Sequence, residues 1–293
     1  MRWFFAFLCA VLGSQAAQAR VENIVAFPSR YVEARNISIW VPDDYDRTVD
    51  RLPVIYMHDG QNIFEPGRAY GGQEWGVDEA LAVKKARVIV VGVWNTKYRG
   101  REYLPAKVVA QLDKSSRQRV EAVHGGRSMA DSYLKFLVQE LKPYIDSNYR
   151  TRTDKRNTSI MGSSMGGLIS IYALGEYPRT FGNAAALSVH WPLADPSKAS
   201  LDEPAIVAAA FEKWLRKSKL RIGRNRLYMD HGTLNLDGFY RPYSLKIEAM
   251  LTAKGWKAGA NWKSEVYQGT DHNEAAWRAR VDIPLTFLLS PPE

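Results

Sequence analysis

Cysteine is almost absent from this chain of 293 residues, which contains only Cys9. A single cysteine allows no internal disulfide framework and no cysteine-based metal site. The sequence also has no P-loop, no His-Glu-x-x-His motif, and no Gly-x-Gly-x-x-Gly turn between a strand and a helix. These absences argue against thiol, nucleotide-dependent and zinc-peptidase chemistry, so we expect neither a cofactor nor a metal.

Long hydrophobic runs are lacking too, apart from a short one at the N-terminus. Residues 3–13 are mostly apolar, follow the positive charge of Arg2, and precede small residues at Ala17 and Ala19. This arrangement is typical of a secretory signal peptide, and the apolar run is short for a bilayer span. We predict a signal peptide at residues 1–19, export to the periplasm or the exterior, no stable membrane anchor, and one domain at residues 20–293.

The formal net charge of the chain is +9, from 40 Lys and Arg against 31 Asp and Glu. The basic residues are spread along the sequence, and no nucleic-acid-binding module is recognisable, so we expect no nucleic-acid partner. The excess charge favours solubility, and it also attracts a protein to anionic surfaces such as cell-envelope polymers.

Short apolar segments alternate with helical patterns along most of the chain. Val32–Val41 alternates as a half-buried strand does, whereas buried strands are indicated at 51–57, 87–94, 157–161, 184–189, 226–229 and 263–267. Helical spacing occurs at 75–85, 129–144, 204–220, 240–254 and 274–280, and Thr96–Gly126 has the polar composition of a loop. The alternation predicts an α/β fold with a mostly parallel central sheet, helices on both faces and an antiparallel N-terminal edge.

Ile160–Gly166 contains the pattern Gly-x-Ser-x-Gly, formed by Gly162, Ser164 and Gly166. The pattern lies between a predicted strand and a predicted helix, where a sharp turn exposes a nucleophilic serine. Glycines suit this turn because the strand and the helix approach so closely that a Cβ atom would clash. The sequence therefore predicts Ser164 as a nucleophile.

A serine hydroxyl needs a general base beside it, and the chain has five histidines. In this architecture the base follows the nucleophile along the chain, which disfavours His58 and His124. His190, His231 and His272 each follow a predicted strand, and parallel strands end at one edge of a sheet. We predict His272 as the base, with the other two as alternatives, and His190 is also a candidate for the pocket wall.

The third group is a carboxylate that orients the histidine and stabilises its charged form. Asp230 lies at the end of a predicted strand, and Asp237 lies in the loop that follows, just before a helix. We prefer Asp237, because the loop gives it freer reach toward His272, and we keep Asp230 as the alternative. The competing role for Asp237 is that it caps the helix N-terminus.

An oxyanion hole requires two backbone N–H groups, one from the residue after the nucleophile and one from the loop after an earlier strand. Met165 follows Ser164, and the loop His58-Asp-Gly-Gln-Asn occupies the second place. Gly60 allows the backbone of this loop to turn inward. We therefore predict the N–H groups of Met165 and Gln61 as the two donors.

With these segments assembled, the chain resembles the putative esterase family of α/β-hydrolases. That family includes enterochelin and other siderophore esterases, S-formylglutathione hydrolase, and feruloyl and acetylxylan esterases. The resemblance runs from about residue 32 to residue 289, and its most telling segments are Met57–Phe64, Gly162–Gly167, Asp230–Asp237 and Gly269–Arg280.

The resemblance implies the α/β-hydrolase fold and a serine hydrolase that cleaves carboxylic esters, with Ser164 as nucleophile and His272 as base. Residues 272–280 are most similar to the siderophore-esterase branch. Asn235 stands where some relatives carry an acidic residue, which is a departure from the family pattern.

Aromatic and basic side chains gather in the loops after the early strands. Aromatic rings with arginines suit a flat, anionic acyl group such as a catechol or a ferulate. We take Trp94, Asn95, Arg99 and His190 as candidate contacts for a small-molecule or glycan ester. Two alternatives to an esterase are an acyltransferase that uses the same triad and an inactive binding protein that keeps the fold.

Overall fold

The computed structural model describes residues 19–218, 220 and 223–290, in which eight strands form one sheet. The strand order is β1-β2-β4-β3-β5-β6-β7-β8, with β1–β2 and β2–β4 antiparallel and the other pairs parallel. The strands are β1 (Arg20–Phe27), β2 (Arg35–Val41), β3 (Val54–His58), β4 (Ile89–Val93), β5 (Thr158–Ser163), β6 (Asn183–Leu187), β7 (Arg226–His231) and β8 (Trp262–Val266). The predicted parallel sheet with an antiparallel N-terminal edge is confirmed.

Eleven α-helices occur in the described residues, and α5 continues into α6 through a π-helical turn at Leu137–Leu141. The helices are α1 (Val77–Val83), α2 (Arg99–Glu102), α3 (Ala106–Val109), α4 (Lys114–Val123), α5 (Ala130–Phe136), α6 (Lys142–Asn148), α7 (Met165–Glu176), α8 (Glu203–Lys217), α9 (Arg241–Ala253), α10 (Glu274–Arg278) and α11 (Asp282–Leu289).

The sheet has a hydrophobic core on each face. Successive strand residues point to opposite faces, so in β3 Val54 and Tyr56 belong to one core, whereas Ile55 and Met57 belong to the other. The first core is covered by α3 to α9, and the second by α1, α10 and α11. Burial on both faces explains why these strands have continuous apolar sequences, and helices on both faces were predicted.

Two segments differ from the sequence-based expectation. Strand β1 was not predicted, because at the edge of the sheet most of its side chains are exposed or half-buried and give little apolar alternation. Thr96–Gly126 was predicted as a loop, but it contains α2, α3 and α4. Helix α4 begins where the Asp113 carboxylate accepts the N–H groups of Ser115 and Ser116, and it buries only Val120. A helix with so small an apolar face has little periodic signal.

Part of the sequence-based domain prediction lies outside the described residues. The predicted signal peptide, residues 1–19, overlaps them only at Ala19, whose N–H donates to an Asp43 carboxylate oxygen at 2.7 Å. The cleavage site and the domain limits 20–293 stay predictions. No helix within the described ranges is long and apolar enough to cross a membrane.

A buried ion pair connects the antiparallel edge of the sheet with α2. The guanidinium of Arg35 contacts the Glu102 carboxylate at 2.6 and 2.9 Å, and the side chains are 1% and 0% exposed. The guanidinium also lies 5.2 Å from the ring centroid of Tyr133 and 5.1 Å from that of Phe136. Because α2 also carries Arg99, this pair fixes a segment that reaches the candidate active site.

We expect the variant Glu102→Gln to lower the free energy of unfolding by about 3–5 kcal/mol, because it leaves the Arg35 charge buried without a counter-charge. The measurement is urea denaturation at neutral pH. The matched control is Arg30→Gln, since Arg30 pairs with Glu140 but is 80% exposed. Exposed pairs contribute less than about 1 kcal/mol. Equally small losses in both variants would contradict the assigned importance of the buried pair.

Candidate active site

Ser164 lies on a sharp turn between β5 and α7. Its backbone has φ 54° and ψ −121°, a conformation that costs energy for any residue with a side chain. The turn is held by the Ser164 N–H, which donates to the Leu187 carbonyl at 2.8 Å, and by the Ser164 carbonyl, which accepts the Leu168 N–H at 3.1 Å. The turn therefore presents the serine at the carboxyl edge of the parallel strands.

Gly162 allows the close approach of strand and helix at this turn. A Cβ atom at Gly162 would lie 2.8 Å from the carbonyl carbon of Gly166 and 2.9 Å from its oxygen. Those are backbone atoms of α7, so the helix itself would have to move. Position 162 thus requires a glycine, because any side chain there would clash with the backbone of α7.

The structure brings Ser164, His272 and Asp237 together. His272, in the loop after β8, has its Nε2 atom 2.9 Å from the Ser164 Oγ and its Nδ1 atom 2.6 Å from an Asp237 carboxylate oxygen. An Nδ1 proton donated to the carboxylate leaves Nε2 as an acceptor for the serine hydroxyl. The rings of Tyr240 and Trp277 meet the imidazole edge to face, with centroids at 5.7 and 5.1 Å.

The carboxylate of Asp237 is fully buried and accepts three hydrogen bonds. The donors are His272 and, at 2.6 Å each, the hydroxyl of Ser188 and the backbone N–H of Gly232. Burial raises the pKa of Asp237, but the hydrogen bonds and the charge of His272 outweigh it. The pKa of Asp237 therefore lies below its ordinary value, and the group stays ionised near neutral pH.

Ser188 is a site residue that the sequence reasoning missed. Its Oγ accepts N–H groups from Trp277 and Arg280, both at 2.9 Å. A hydroxyl has one proton, so with both acceptor positions used the Ser188 hydroxyl donates to Asp237. One sequence signal pointed toward Ser188, namely the similarity of residues 272–280 to siderophore esterases. That segment contains both donors, Trp277 and Arg280.

Asp230, the alternative acid, contacts a different partner. Its carboxylate accepts two bonds from the Arg280 guanidinium, at 3.1 and 3.2 Å, and one from the Ser188 N–H at 2.9 Å. Burial raises the pKa of Asp230, although the Arg280 charge opposes this shift. Asp230 has no hydrogen bond with His272 in the described structure, and it supports Arg280, which in turn contacts Ser188.

The imidazole rings of the remaining four histidines are hydrogen-bonded to groups other than Ser164. A ring nitrogen of each lies 2.6–2.8 Å from its partner: His58 from the Tyr133 hydroxyl, His124 from the Leu193 carbonyl, His190 from the Tyr240 hydroxyl, and His231 from the Gly232 carbonyl. His190 lies next to the turn, because its backbone N–H donates to the Ser164 carbonyl at 3.3 Å. Burial, with the charge of His272, lowers the pKa of His190 to about 3.

The two predicted oxyanion donors belong to segments that meet at the Ser164 turn. Met165 is the first residue of α7, and Gln61 lies in a 3-10 turn, Gly60–Asn62, directly after β3. A Cβ atom built on Gly166 would lie 3.4 Å from a carboxylate oxygen of Asp59. The turn after β3 therefore packs against the start of α7.

Arg99 and Asn95 both bind the carboxylate of Asp59 beside this turn. The Arg99 guanidinium donates two bonds at 2.7 and 2.8 Å, and the Asn95 amide donates one at 2.6 Å. Burial raises the pKa of Asp59, but Arg99 outweighs it and the pKa is lowered. Arg99 is thus a paired cation, with its side chain one-third (33%) exposed.

Trp94 lies directly before Asn95, in the loop after β4, and has other contacts. Its indole N–H donates to the Ser38 hydroxyl at 2.9 Å, and the Arg68 guanidinium lies 5.5 Å from the ring centroid. The backbone N–H of Asn95 donates to the side-chain oxygen of Gln61 at 3.2 Å, which links this loop to the turn after β3. Within the described part of the chain, no group of three or more His, Cys, Asp or Glu could hold a metal ion.

A solved structure shares the architecture described above. The enterobactin esterase of Shigella flexneri superposes with a TM-score of 0.66 at 18% identity, over 94% of this chain and 60% of that one. At this identity the likeness concerns the fold alone. The fold is the α/β-hydrolase fold, as predicted from the sequence.

The sequence profile of the Putative esterase family matches residues 29–285, and this chain belongs to that family. Ferri-bacillibactin esterase BesA of Bacillus subtilis is 28% identical over 149 residues, which are 47% of this chain and 48% of BesA. An endo-1,4-beta-xylanase/feruloyl esterase of Xylanibacter ruminicola is 38% identical over 172 residues, 57% of this chain and 21% of that protein. The chain thus spans about half the length, or less, of these relatives.

The buried His58 gives an expected pH dependence of stability. Burial lowers its pKa from 6.5 to about 3 in the folded state, so below pH 6.5 the unfolded chain binds a proton that the folded chain does not. The free energy of unfolding should therefore decline as the pH falls from 6.5 toward 4.5, by up to about 1.4 kcal/mol per pH unit from this group. Urea denaturation of the wild type and of His58→Gln measures this slope, which should be smaller in the variant. Equal slopes would contradict the expectation.

Proposed function

We propose that this protein is an exported carboxylic ester hydrolase that forms an acyl-enzyme on Ser164. The observation that carries the proposal is the position of the His272 ring, 2.9 Å from the Ser164 Oγ and 2.6 Å from the Asp237 carboxylate. Membership of the Putative esterase family supports the same reaction class. Export through the predicted signal peptide at residues 1–19 belongs to this proposal.

In the first half of the reaction, the Ser164 Oγ attacks the ester carbonyl while Nε2 of His272 takes its proton. The negative charge that develops on the carbonyl oxygen is stabilised by the N–H groups of Met165 and Gln61. The carbon–oxygen bond to the alcohol then breaks, and the imidazolium returns the proton to the leaving alkoxide. The products of this half are a free alcohol and an acyl group on Ser164.

In the second half, water replaces the serine as the nucleophile. Nε2 of His272 takes a proton from the water as its oxygen attacks the acyl carbon, and then gives a proton to Ser164 Oγ as the acid leaves. Asp237 stays ionised throughout, because its hydrogen-bond donors lower its pKa. Its fixed bond to Nδ1 keeps the imidazole in the tautomer that both halves need.

The substrate class is an ester with an aromatic acyl group, on a small molecule or a glycan. The relative named as a feruloyl esterase supports this class. The segment from Trp94 to Arg99 supplies an aromatic ring and, bound to Asp59 in the turn after β3, a half-buried cation. Since Asp59 neutralises Arg99, this loop favours an aromatic group whose charge is small.

We expect Ser164→Ala to lose at least about 10³-fold in kcat for aryl ester hydrolysis, because no nucleophile remains. The assay is a panel of short aryl esters, feruloyl esters, acetylated sugars and catecholate siderophores. The matched control is Ser163→Ala, which removes the neighbouring buried hydroxyl at the end of β5 and should keep most of the activity. Equally slow turnover by the wild type and by Ser164→Ala would contradict the proposal that the protein is a serine esterase.

The variants Asp237→Asn and Asp230→Asn separate the two aspartates. An amide at 237 donates to Nδ1 of His272 and selects the wrong tautomer, so kcat should fall by about 10⁴-fold. Asp230 is connected to His272 only through Ser188, which it contacts directly and by way of Arg280, and then through Asp237, so a loss of about tenfold or less is expected for Asp230→Asn. Circular dichroism checks that both variants are folded, and equal mild losses would favour a serine–histidine dyad over the proposed triad.

A further inference from the structure

A cavity of about 690 Å³ lies at the edge of the sheet opposite to Ser164. It is lined by the first residues of β3, β5, β6 and β7 and by the end of α11. Strand β5, with six residues, separates this edge from the Ser164 turn by about 20 Å at roughly 3.3 Å per residue. The cavity therefore takes no part in the proposed ester hydrolysis.

The described lining of this cavity is strongly basic. Five of its fifteen described lining residues are cations and none is acidic; the cations are Arg152, Lys155, Arg156, Arg224 and Arg226. The first four come from two loops, one before β5 and one before β7, so the chain brings together charges that are about 70 residues apart in sequence. Arg226 is held in place by the Ser290 carbonyl at 2.8 Å and by the ring of Phe287.

Among the described residues, no carboxylate lies closer than 4.0 Å to the charged groups of Lys155, Arg156 and Arg224. Burial lowers the pKa of Lys155, and the nearby charges of Arg224 and Arg156 lower it further. Lys155 donates to the backbone carbonyl of Arg224 at 3.0 Å, which is a neutral acceptor. The nearest carboxylate to Arg156 is that of Asp154, at 4.0 Å and with both side chains mostly exposed. Lys155, Arg156 and Arg224 therefore repel one another.

We propose that this cavity binds a compact ligand that carries two or more phosphate groups. Arginine forks match phosphate oxygens in pairs, and several mutually repelling cations in a concave site concentrate multiply charged anions. The volume lies within the range of small-molecule sites, about 300–1,000 Å³. Because the two sites lie at opposite edges of the sheet, the protein can hold such a ligand and hydrolyse an ester at once.

The test is isothermal titration calorimetry at low ionic strength, where charge interactions are least screened. The probes are pyrophosphate, as free phosphate, and fructose 1,6-bisphosphate, as esterified phosphate, with a tricarboxylate for comparison. The variant is the double substitution Arg156→Gln and Arg224→Gln, two exposed side chains whose change leaves the core intact. The matched control is Arg127→Gln, an exposed arginine whose side chain has no ion pair within the described residues.

The wild type and Arg127→Gln should bind pyrophosphate or the bisphosphate, and the double variant should bind at least about a hundredfold more weakly, since each charge-assisted contact contributes about tenfold or more. Ester hydrolysis should be unchanged in all three. The tighter of the two phosphate probes identifies the free or the esterified source. The proposal is overturned by equal binding in wild type and double variant, by no binding at all, or by equally tight tricarboxylate binding. A parallel loss of ester hydrolysis would overturn the separation of the two sites.

Discussion

The buried carboxylate of Asp237 is the constraint on which the candidate active site depends. A charge removed from water is stable only where hydrogen-bond donors surround it. The three donors come from the end of β6, the loop after β7 and the loop after β8, through Ser188, Gly232 and His272. The bonds that stabilise the charge therefore also hold three separate loops together, and the position of the imidazole follows from them.

The support for this carboxylate extends farther from Ser164. Ser188 can direct its proton to Asp237 because Trp277 and Arg280 occupy its acceptor positions. Arg280 can be buried beside Ser188 because Asp230 balances its charge. The two aspartates thus have different roles in one hydrogen-bond network. Asp237 contacts the imidazole of His272, whereas Asp230 holds the Arg280 guanidinium in place beside Ser188.

The parts of the site that the sequence predicts are those that follow recognisable strands. Ser164 and His272 each follow a predicted strand, and the freer reach of the loop favoured Asp237 over Asp230. Ser188 could not be predicted, because its partners lie 89 and 92 residues away and nothing in its neighbourhood distinguishes it.

Residues whose partners depend on a turn conformation also escaped prediction. Arg99 was assigned to substrate contact from composition, whereas its pairing with Asp59 arises from a left-handed turn at Asp59, with φ 57°, that composition does not reveal. The edge strand β1 gave little apolar alternation because so little of it is buried. In each case the missing information is a contact made only by the folded chain.

Left-handed backbone is concentrated around the site. Of seven non-glycine residues with positive φ in the described structure, Asp59, Ser164, Ser188 and Asn235 lie in its loops. Such conformations cost about 1–3 kcal/mol each. At position 164 a glycine would relieve that cost but would supply no hydroxyl. Selection for stability and selection for catalytic activity therefore act in opposite directions at this position. A lineage that lost the reaction could therefore gain stability through Ser164→Gly alone. Inactive proteins with this fold need not be less stable than their active relatives.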